Sequence, residues 1–220
     1  MAKYPPILIT GTDTGVGKTH AGRRMAAAFH ARGISVGVFK PLESGWPEGG
    51  AGSDADLLLK AASSKQTLDD VCLYRLKTPV APAVAARIDG VEIDVEKILR
   101  HLRGLSSRFD IVLVEGAGGL LTPLAKDWNI LDLAVKGGMH ALVVVANKLG
   151  CVNHALLTDF AMKQAGVERI GFVMNAIPGA FDESRKTNAE LIASLTGLPV
   201  YDINDGDFTG RILSGLGPGR

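Results

Sequence analysis

Six apolar runs of strand length punctuate the chain, and helical patterns lie between them. Ile7–Thr10 is the first run, Ser35–Lys40 the second and Phe109–Val114 the third. Ala141–Ala146, Arg169–Asn175 and a short Val200–Ile203 complete the set. The runs are nearly continuous in apolar and β-branched residues rather than alternating with period two, the pattern of strands covered on both faces. Apolar residues at helical spacing predict helices over His20–Arg32, ended by Gly33, and over 54–63, 92–104, 129–137, 153–165 and 183–196. This alternation predicts an α/β fold: a doubly wound, mostly parallel sheet with helices on both faces.

The polar intervals add detail. Trp46–Gly52 reads as a glycine-rich loop long enough to move or to close over a ligand, and the tail Gly215–Arg220 is expected to fray. The 220 residues suit one domain, and 46% hydrophobic content suffices for a sizeable core. A net charge of +1 gives no reason to expect nucleic acid or an acidic membrane as a partner. Cys72 and Cys151 form no Cys-x-x-Cys pair and fit a reducing compartment. With no signal-like start and no long uncharged apolar run, a cytoplasmic location is expected.

In open α/β sheets, ligands sit outside the carboxyl ends of the strands. That rule gathers five loops at one edge: Gly11–Thr19, Lys40–Ser44, Glu115–Gly119, Asn147–Asn153 and the stretch from Asn175 onward. The first is the most informative. A buried strand leads into Gly11-Thr12-Asp13-Thr14-Gly15-Val16-Gly17-Lys18-Thr19, the layout of a phosphate-binding loop opening a helix. Gly15, Val16 and Gly17 would offer backbone N–H groups to a polyphosphate. Lys18 would reach its β- and γ-phosphates, and the Thr19 hydroxyl would ligate Mg²⁺. Thr12 stands where the usual pattern has its first glycine, with Gly11 one place early.

Each remaining cluster has a plainer reading beside the functional one. Glu115 ends a strand where many nucleotide-hydrolysing enzymes hold Mg²⁺, or is a solvated acid; the glycines after it, Gly118 among them, let backbone pass close to phosphate. Ser53 or Asp54 is a helix cap, or Asp54 joins Thr19 and Glu115 around one ion, while Asp56 is a charge at the helix start. Lys40, before Pro41, either neutralises charge on a transferred phosphoryl group or is a surface lysine. Gly150–Asn153 opens a helix whose free N–H groups suit a carboxylate, though Asn153 also reads as a cap and Cys151 as a small packed residue.

Taken together, these motifs resemble dethiobiotin synthetase. The loop is joined, in order, by Lys-Pro-x-x-Ser-Gly, Ser-Asp-Ala, Val-Glu-Gly-Ala-Gly-Gly, Thr-Pro-Leu and Lys-Leu-Gly-Cys-x-Asn-His-Ala, from about Ile7 to Asn175. The resemblance implies a single P-loop NTPase-like catalytic domain over 1–220. It also implies ATP- and Mg²⁺-dependent closure of a ureido ring on 7,8-diaminononanoate with CO₂, by way of a carbamate and a carbamic–phosphoric anhydride. Lys18 and Lys40 would supply charge at the reacting centre, Thr14 and Ser44 would orient the carbamate or amine, and Thr19, Asp54 and Glu115 would hold the metal. Asn175 would read the base edge. Thr122 and Pro123, with Val80 and Pro82, would line the aliphatic part of the site. The resemblance further implies a homodimer in which Gly150, Cys151, Val152 and Asn153 bind the substrate carboxylate for the neighbouring subunit.

Some positions depart from relatives. Gly15 replaces a glutamate, Leu191 a tyrosine near the substrate carboxylate, and Tyr201–Asp207 lacks a proline-rich turn, which leaves the choice of nucleotide base open. Partition and septum-site ATPases carry an early loop lysine where this chain has Asp13. Nucleotide-dependent metallochaperones often show His-rich or Cys-x-x-Cys sites, which are absent here.

Overall fold

A computed structural model describes residues 2–176 and 182–216. In chain order its strands are β1 (Ile7–Gly11), β2 (Val36–Phe39), β3 (Leu42–Ser44), β4 (Tyr74–Leu76) and β5 (Ile111–Glu115). There follow β6 (Pro123–Ala125), β7 (Trp128–Asn129), β8 (His140–Ala146), β9 (Arg169–Asn175) and β10 (Val200–Asp202). The helices are α1 (Lys18–Ala31), α2 (Asp54–Ala62), α3 (Leu68–Val71), α4 (Pro82–Asp89) and α5 (Val95–Arg108), then α6 (Ile130–Lys136), α7 (Cys151–Gln164), α8 (Asn188–Thr196) and α9 (Phe208–Gly215).

Six strands form one parallel sheet in the order β10-β9-β8-β1-β5-β2. Successive side chains on a strand point to opposite faces, so each strand serves two cores. Leu8, Val112, Val114, Val143 and Val145 pack with α5, α6 and α7. Ile7, Ile9, Ile111, Leu113, Leu142 and Val144 pack with α1, α2 and α9 on the other face. Burial on both faces is what near-continuous apolar runs require, and the doubly wound parallel sheet is as expected.

Helix α5 illustrates how the pattern sets the packing. Val95, Ile98, Leu99, Leu102 and Leu105 recur every three or four residues and are buried, while Asp94 caps the start by accepting from the Lys97 N–H at 2.9 Å. That cap places the helix over 95–108 rather than the expected 92–104. The expected helix over 183–196 is broken: Glu183–Lys186 is a 3₁₀ turn, and α8 begins after Thr187.

The edge strand β2 is finished by a side chain. Gln66, buried, accepts from the Val38 N–H at 2.8 Å and donates to the Val38 carbonyl at 2.9 Å, in place of a neighbouring strand. Gln66→Ala leaves a buried donor and acceptor unpaired and is expected to cost about 2 kcal/mol. The check is a denaturant midpoint that falls at unchanged slope.

The Trp46–Gly52 segment is anchored at several points. It contains a 3₁₀ turn at Glu48–Gly50, Trp46 donates its N–H to the Leu76 carbonyl at 2.9 Å, and the Arg75 guanidinium lies over the indole. No helix among the described residues is long and apolar enough to cross a membrane. In the tail expected to fray, Gly215 closes α9, and Gly217–Arg220 lies outside the described residues.

Candidate active site

The carboxyl ends of β1, β2 and β5 open onto a cavity of about 630 Å³. Thr14, Gly15, Gly17, Lys18, Thr19, Lys40, Ser44, Asp54, Glu115, Gly118 and Thr122 all line it, together with the Pro79–Pro82 segment. Three of the five loops expected at this edge thus meet in one recess.

The phosphate-type loop is shaped by two glycines. A Cβ on Gly11 would lie 2.6 Å from the Val16 side chain, which is buried beneath the loop, so the glycine is needed here rather than at Thr12. Gly17 takes φ 99° as the residue before α1, and a Cβ there would lie 2.2 Å from the Asn175 amide nitrogen. Asn175 therefore sits over the loop instead of in the cavity, donating to the Val16 carbonyl at 2.9 Å. Lys18 folds back along the loop, its ammonium 2.9 Å from the Asp13 carbonyl. Burial is the main influence on Lys18 and lowers its pKa below the usual lysine value.

Lys40 is the hinge of the site's electrostatics. It is only 4% exposed, which removes the surface-lysine reading. Its ammonium lies 2.6 Å from Glu115 Oε1 and 3.0 Å from Asp54 Oδ2. Burial opposes its charge, but attraction to Glu115 and Asp54 outweighs that and raises its pKa well above the lysine norm. Burial likewise works against the charge on Asp54, and the Lys40 ammonium overrides it, holding the carboxyl below the usual aspartate value. The Thr19 hydroxyl donates to the same Glu115 oxygen at 2.9 Å. The other oxygen, Glu115 Oε2, is buried with no hydrogen-bond partner among the described residues, as is the Ser44 hydroxyl.

A second set of predicted residues lies elsewhere. Pro123 is exposed at the start of β6 and lines no part of the cavity. Gly150, at φ 88°, is the N-cap of α7, so Asn153 is the third residue of the helix and not its cap. The expected helix start at 153 moves back to Cys151 for the same reason. None of Gly150, Cys151, Val152 and Asn153 lines this chain's own cavity. Their loop is braced from α8, where Asn188 donates its amide to Asn147 Oδ1 at 2.9 Å and to the Lys148 carbonyl at 3.3 Å.

One acid at the site was not singled out from the sequence. Glu43, 8% exposed, lines the cavity and accepts from the backbone N–H groups of Asp54 and Ala55. Burial pushes its carboxyl pKa up, partly countered by Lys40. The available signal was only an acid three residues beyond Lys40, because the amides it binds lie more than ten residues away.

The profile of the family described as AAA domain matches residues 6–201. An ATP-dependent dethiobiotin synthetase BioD from Anaeromyxobacter sp. (strain Fw109-5) is 41% identical over 191 residues, covering 87% of this chain and 85% of that protein. One from Aquifex aeolicus (strain VF5) is 36% identical over 197 residues, covering 90% and 87%. The chain belongs to the dethiobiotin synthetase family. Solved structures share only its fold. The Pyrococcus furiosus cell division ATPase MinD aligns with a TM-score of 0.53 at 20% identity, over 96% of this chain and 89% of that one. A ParA family ATPase from Chlorobium tepidum TLS aligns at 0.56 and 16%, over 97% and 90%. The P-loop NTPase-like architecture is thus shared with the ATPases that Asp13 sets apart in sequence.

Neither thiol of this dethiobiotin synthetase family member is placed to react. Cys72 and Cys151 are each 2% exposed; burial pushes Cys72 up to about 12 and also raises Cys151. Both are expected to stay silent to a thiol reagent in the native protein at pH 8 and to react fully once it is unfolded. Rapid native labelling of Cys151 would contradict its reading as a packed, unreactive residue.

Proposed function

We propose that the chain is an ATP-dependent dethiobiotin synthetase that joins 7,8-diaminononanoate and CO₂, in biotin biosynthesis, giving dethiobiotin, ADP and phosphate. Family membership supports the activity. The observation that carries the site assignment is the Lys40 ammonium lodged between Glu115 and Asp54 beside the Lys18 loop.

In the proposed sequence an uncharged amine adds to CO₂, forming a C–N bond and releasing a proton, to give a carbamate. A carbamate oxygen attacks the γ-phosphorus, and the bond to the β-phosphate breaks, its electron pair leaving with ADP. The second amine then attacks the carbonyl carbon, phosphate departs, and loss of the amine proton closes the ring. The carbamate and the γ-phosphate it attacks are both anionic, so the chemistry needs fixed positive charge between them. Lys18 would sit against the β- and γ-phosphates, and Lys40 would face the carbamate and the transferred phosphoryl group. The Thr14 and Ser44 hydroxyls would orient the carbamate or amine; the unpartnered Ser44 hydroxyl at the cavity wall suits that role. Gly15, Val16 and Gly17 would cradle phosphate, Gly118 would let it approach, and Asn175 would meet the base.

The donor set also fits Mg²⁺. Thr19, Asp54 and Glu115 offer the hard oxygens this ion favours, and Glu115 Oε2 has no partner among the described residues. Among the described residues no three acidic, imidazole or thiol side chains group around one ion, which suits a cation completed by phosphate oxygens and water. When bound it would supply positive charge to the phosphate oxygens.

Gly150–Asn153 would serve the cavity of a second copy across a homodimer interface. Exposed apolar side chains beside it, Leu149 on the loop and Leu157 and Phe160 along α7, favour a covered surface. A cytoplasmic location agrees with the free buried thiols. The deciding experiment is phosphate release with Mg·ATP and bicarbonate, with and without 7,8-diaminononanoate, and detection of dethiobiotin by mass. Diamine-dependent phosphate with matching dethiobiotin is expected; none, with ATP, CTP or GTP, would sink the ligase reading.

A further inference from the structure

Glu43 has no part in the chemistry above, yet it is the acid most fully engaged by backbone at the site. One carboxylate oxygen accepts from the Asp54 N–H at 2.9 Å and the other from the Ala55 N–H at 3.1 Å. Ser53 takes the next two amides of α2: its hydroxyl accepts from the Asp56 N–H at 3.1 Å and its carbonyl from the Leu57 N–H at 3.0 Å. The first turn therefore has no free donor, and half of that satisfaction comes from a residue on β3 rather than from the helix's own cap. Two oxygens gripping successive amides fix both where α2 begins and how it is turned about its axis.

The first of those amides belongs to Asp54, whose carboxylate lies 3.0 Å from the Lys40 ammonium. Lys40 and Glu43 are three residues apart on the same short segment. Asp54 is thus held at its side chain by one of them and at its main chain by the other. This arrangement is electrostatically expensive, because a third carboxylate enters a site that already holds Asp54 and Glu115. A hydroxyl or amide would cap the helix without that repulsion, as Ser53 already does in part. Burial and the two charge-assisted bonds keep Glu43 where its effect on Asp54 is largest.

We propose that Glu43 is a positioning residue, fixing Asp54 at the place where it can share a divalent cation with Thr19 and Glu115. The inference rests on the metal reading above and adds to it a residue outside the ligand set.

The test measures Mn²⁺ affinity by electron paramagnetic resonance, with a non-hydrolysable ATP analogue present, in the wild-type chain, Glu43→Gln and Glu43→Asp. Nucleotide affinity in EDTA and the melting curve are recorded alongside. A carboxamide has one accepting oxygen, and its NH₂ would face an N–H donor. Glu43→Gln is therefore expected to weaken Mn²⁺ binding about tenfold, as loss of an outer partner of a metal ligand does. Glu43→Asp keeps the charge and is expected to lose less, with kcat recovering at high Mg²⁺. Nucleotide affinity in EDTA should stay within about twofold, because the phosphate loop is untouched. A purely structural cap would lower the melting temperature without moving the metal affinity, and that result in a folded Glu43→Gln protein overturns the proposal. If Glu43→Gln does not fold, Glu43→Asp decides: unchanged Mn²⁺ affinity overturns it, and a several-fold loss upholds it. A wild-type chain that binds no Mn²⁺ with the analogue defeats the metal reading itself, before any variant is compared.

Discussion

Lys40→Ala is expected to lower kcat about 10²- to 10³-fold, the usual cost of removing one fixed charge or donor aimed at a developing anion. On the proposed reading, the substitution takes the ammonium from between two anions that must react, whereas Lys18 and the loop amides proposed to hold ATP remain. ATP affinity should therefore change far less than turnover. Stability responds as well. Glu115 is 1% exposed, and without Lys40 its carboxylate is buried without its close ion-pair partner, keeping the Thr19 hydroxyl bond and the Lys18 charge nearby. Breaking such a pair from one side costs about 3 kcal/mol, so the variant should melt earlier yet cooperatively. The sign of the pH effect follows from Lys40 alone. Its folded pKa is raised, so its contribution is complete below the ordinary lysine value of 10.5 and is lost as pH rises through the folded one. Activity should thus be compared near neutrality, where wild type retains the whole contribution. Near-normal kcat in a folded variant would remove Lys40 from the catalytic set.

The sheet was legible because its signal is local. Ile111-Val112-Leu113-Val114 has no polar face to give to solvent, and only a strand between two layers satisfies that pattern. Once those strands are parallel, the loops at their carboxyl ends must share an edge, which is why Lys18, Lys40 and Glu115 meet in one cavity. Short elements carried too little pattern to be read. Helix α4 begins at Pro82, follows Pro79 and buries only three small residues, so its sequence resembles a turn. Strands β3 and β4 have three residues each and form a parallel pair across a separation no sequence window spans. Glu43 was missed for the same reason: its meaning lies in two amides more than ten residues away. Asn153 was misjudged as a possible cap because glycine can end the preceding turn at positive φ with no side chain to announce it.

The proposed dimer makes the strongest demand on geometry, because it places one site on two chains. Lys18→Ala would remove the proposed phosphate contact from a cavity, and Asn153→Ala alters the helix N-terminus that would hold the substrate carboxylate for the other copy. Each homodimer is then expected to be nearly inactive, as both of its sites lack one part. Asn153 is exposed in a single chain and lines none of its own cavity, so its substitution should leave the fold unchanged. In a mixed dimer, one site combines both defects and the other combines the intact cavity with the intact helix start. Equal mixing with random exchange puts half the chains in mixed dimers, so about a quarter of wild-type activity should return. The rise should follow subunit exchange in time and vanish if exchange is blocked by a cross-link. Activity that never exceeds the sum of the two variants, in a mixture shown to exchange, would confine the site to one chain and return Gly150–Asn153 to a structural role.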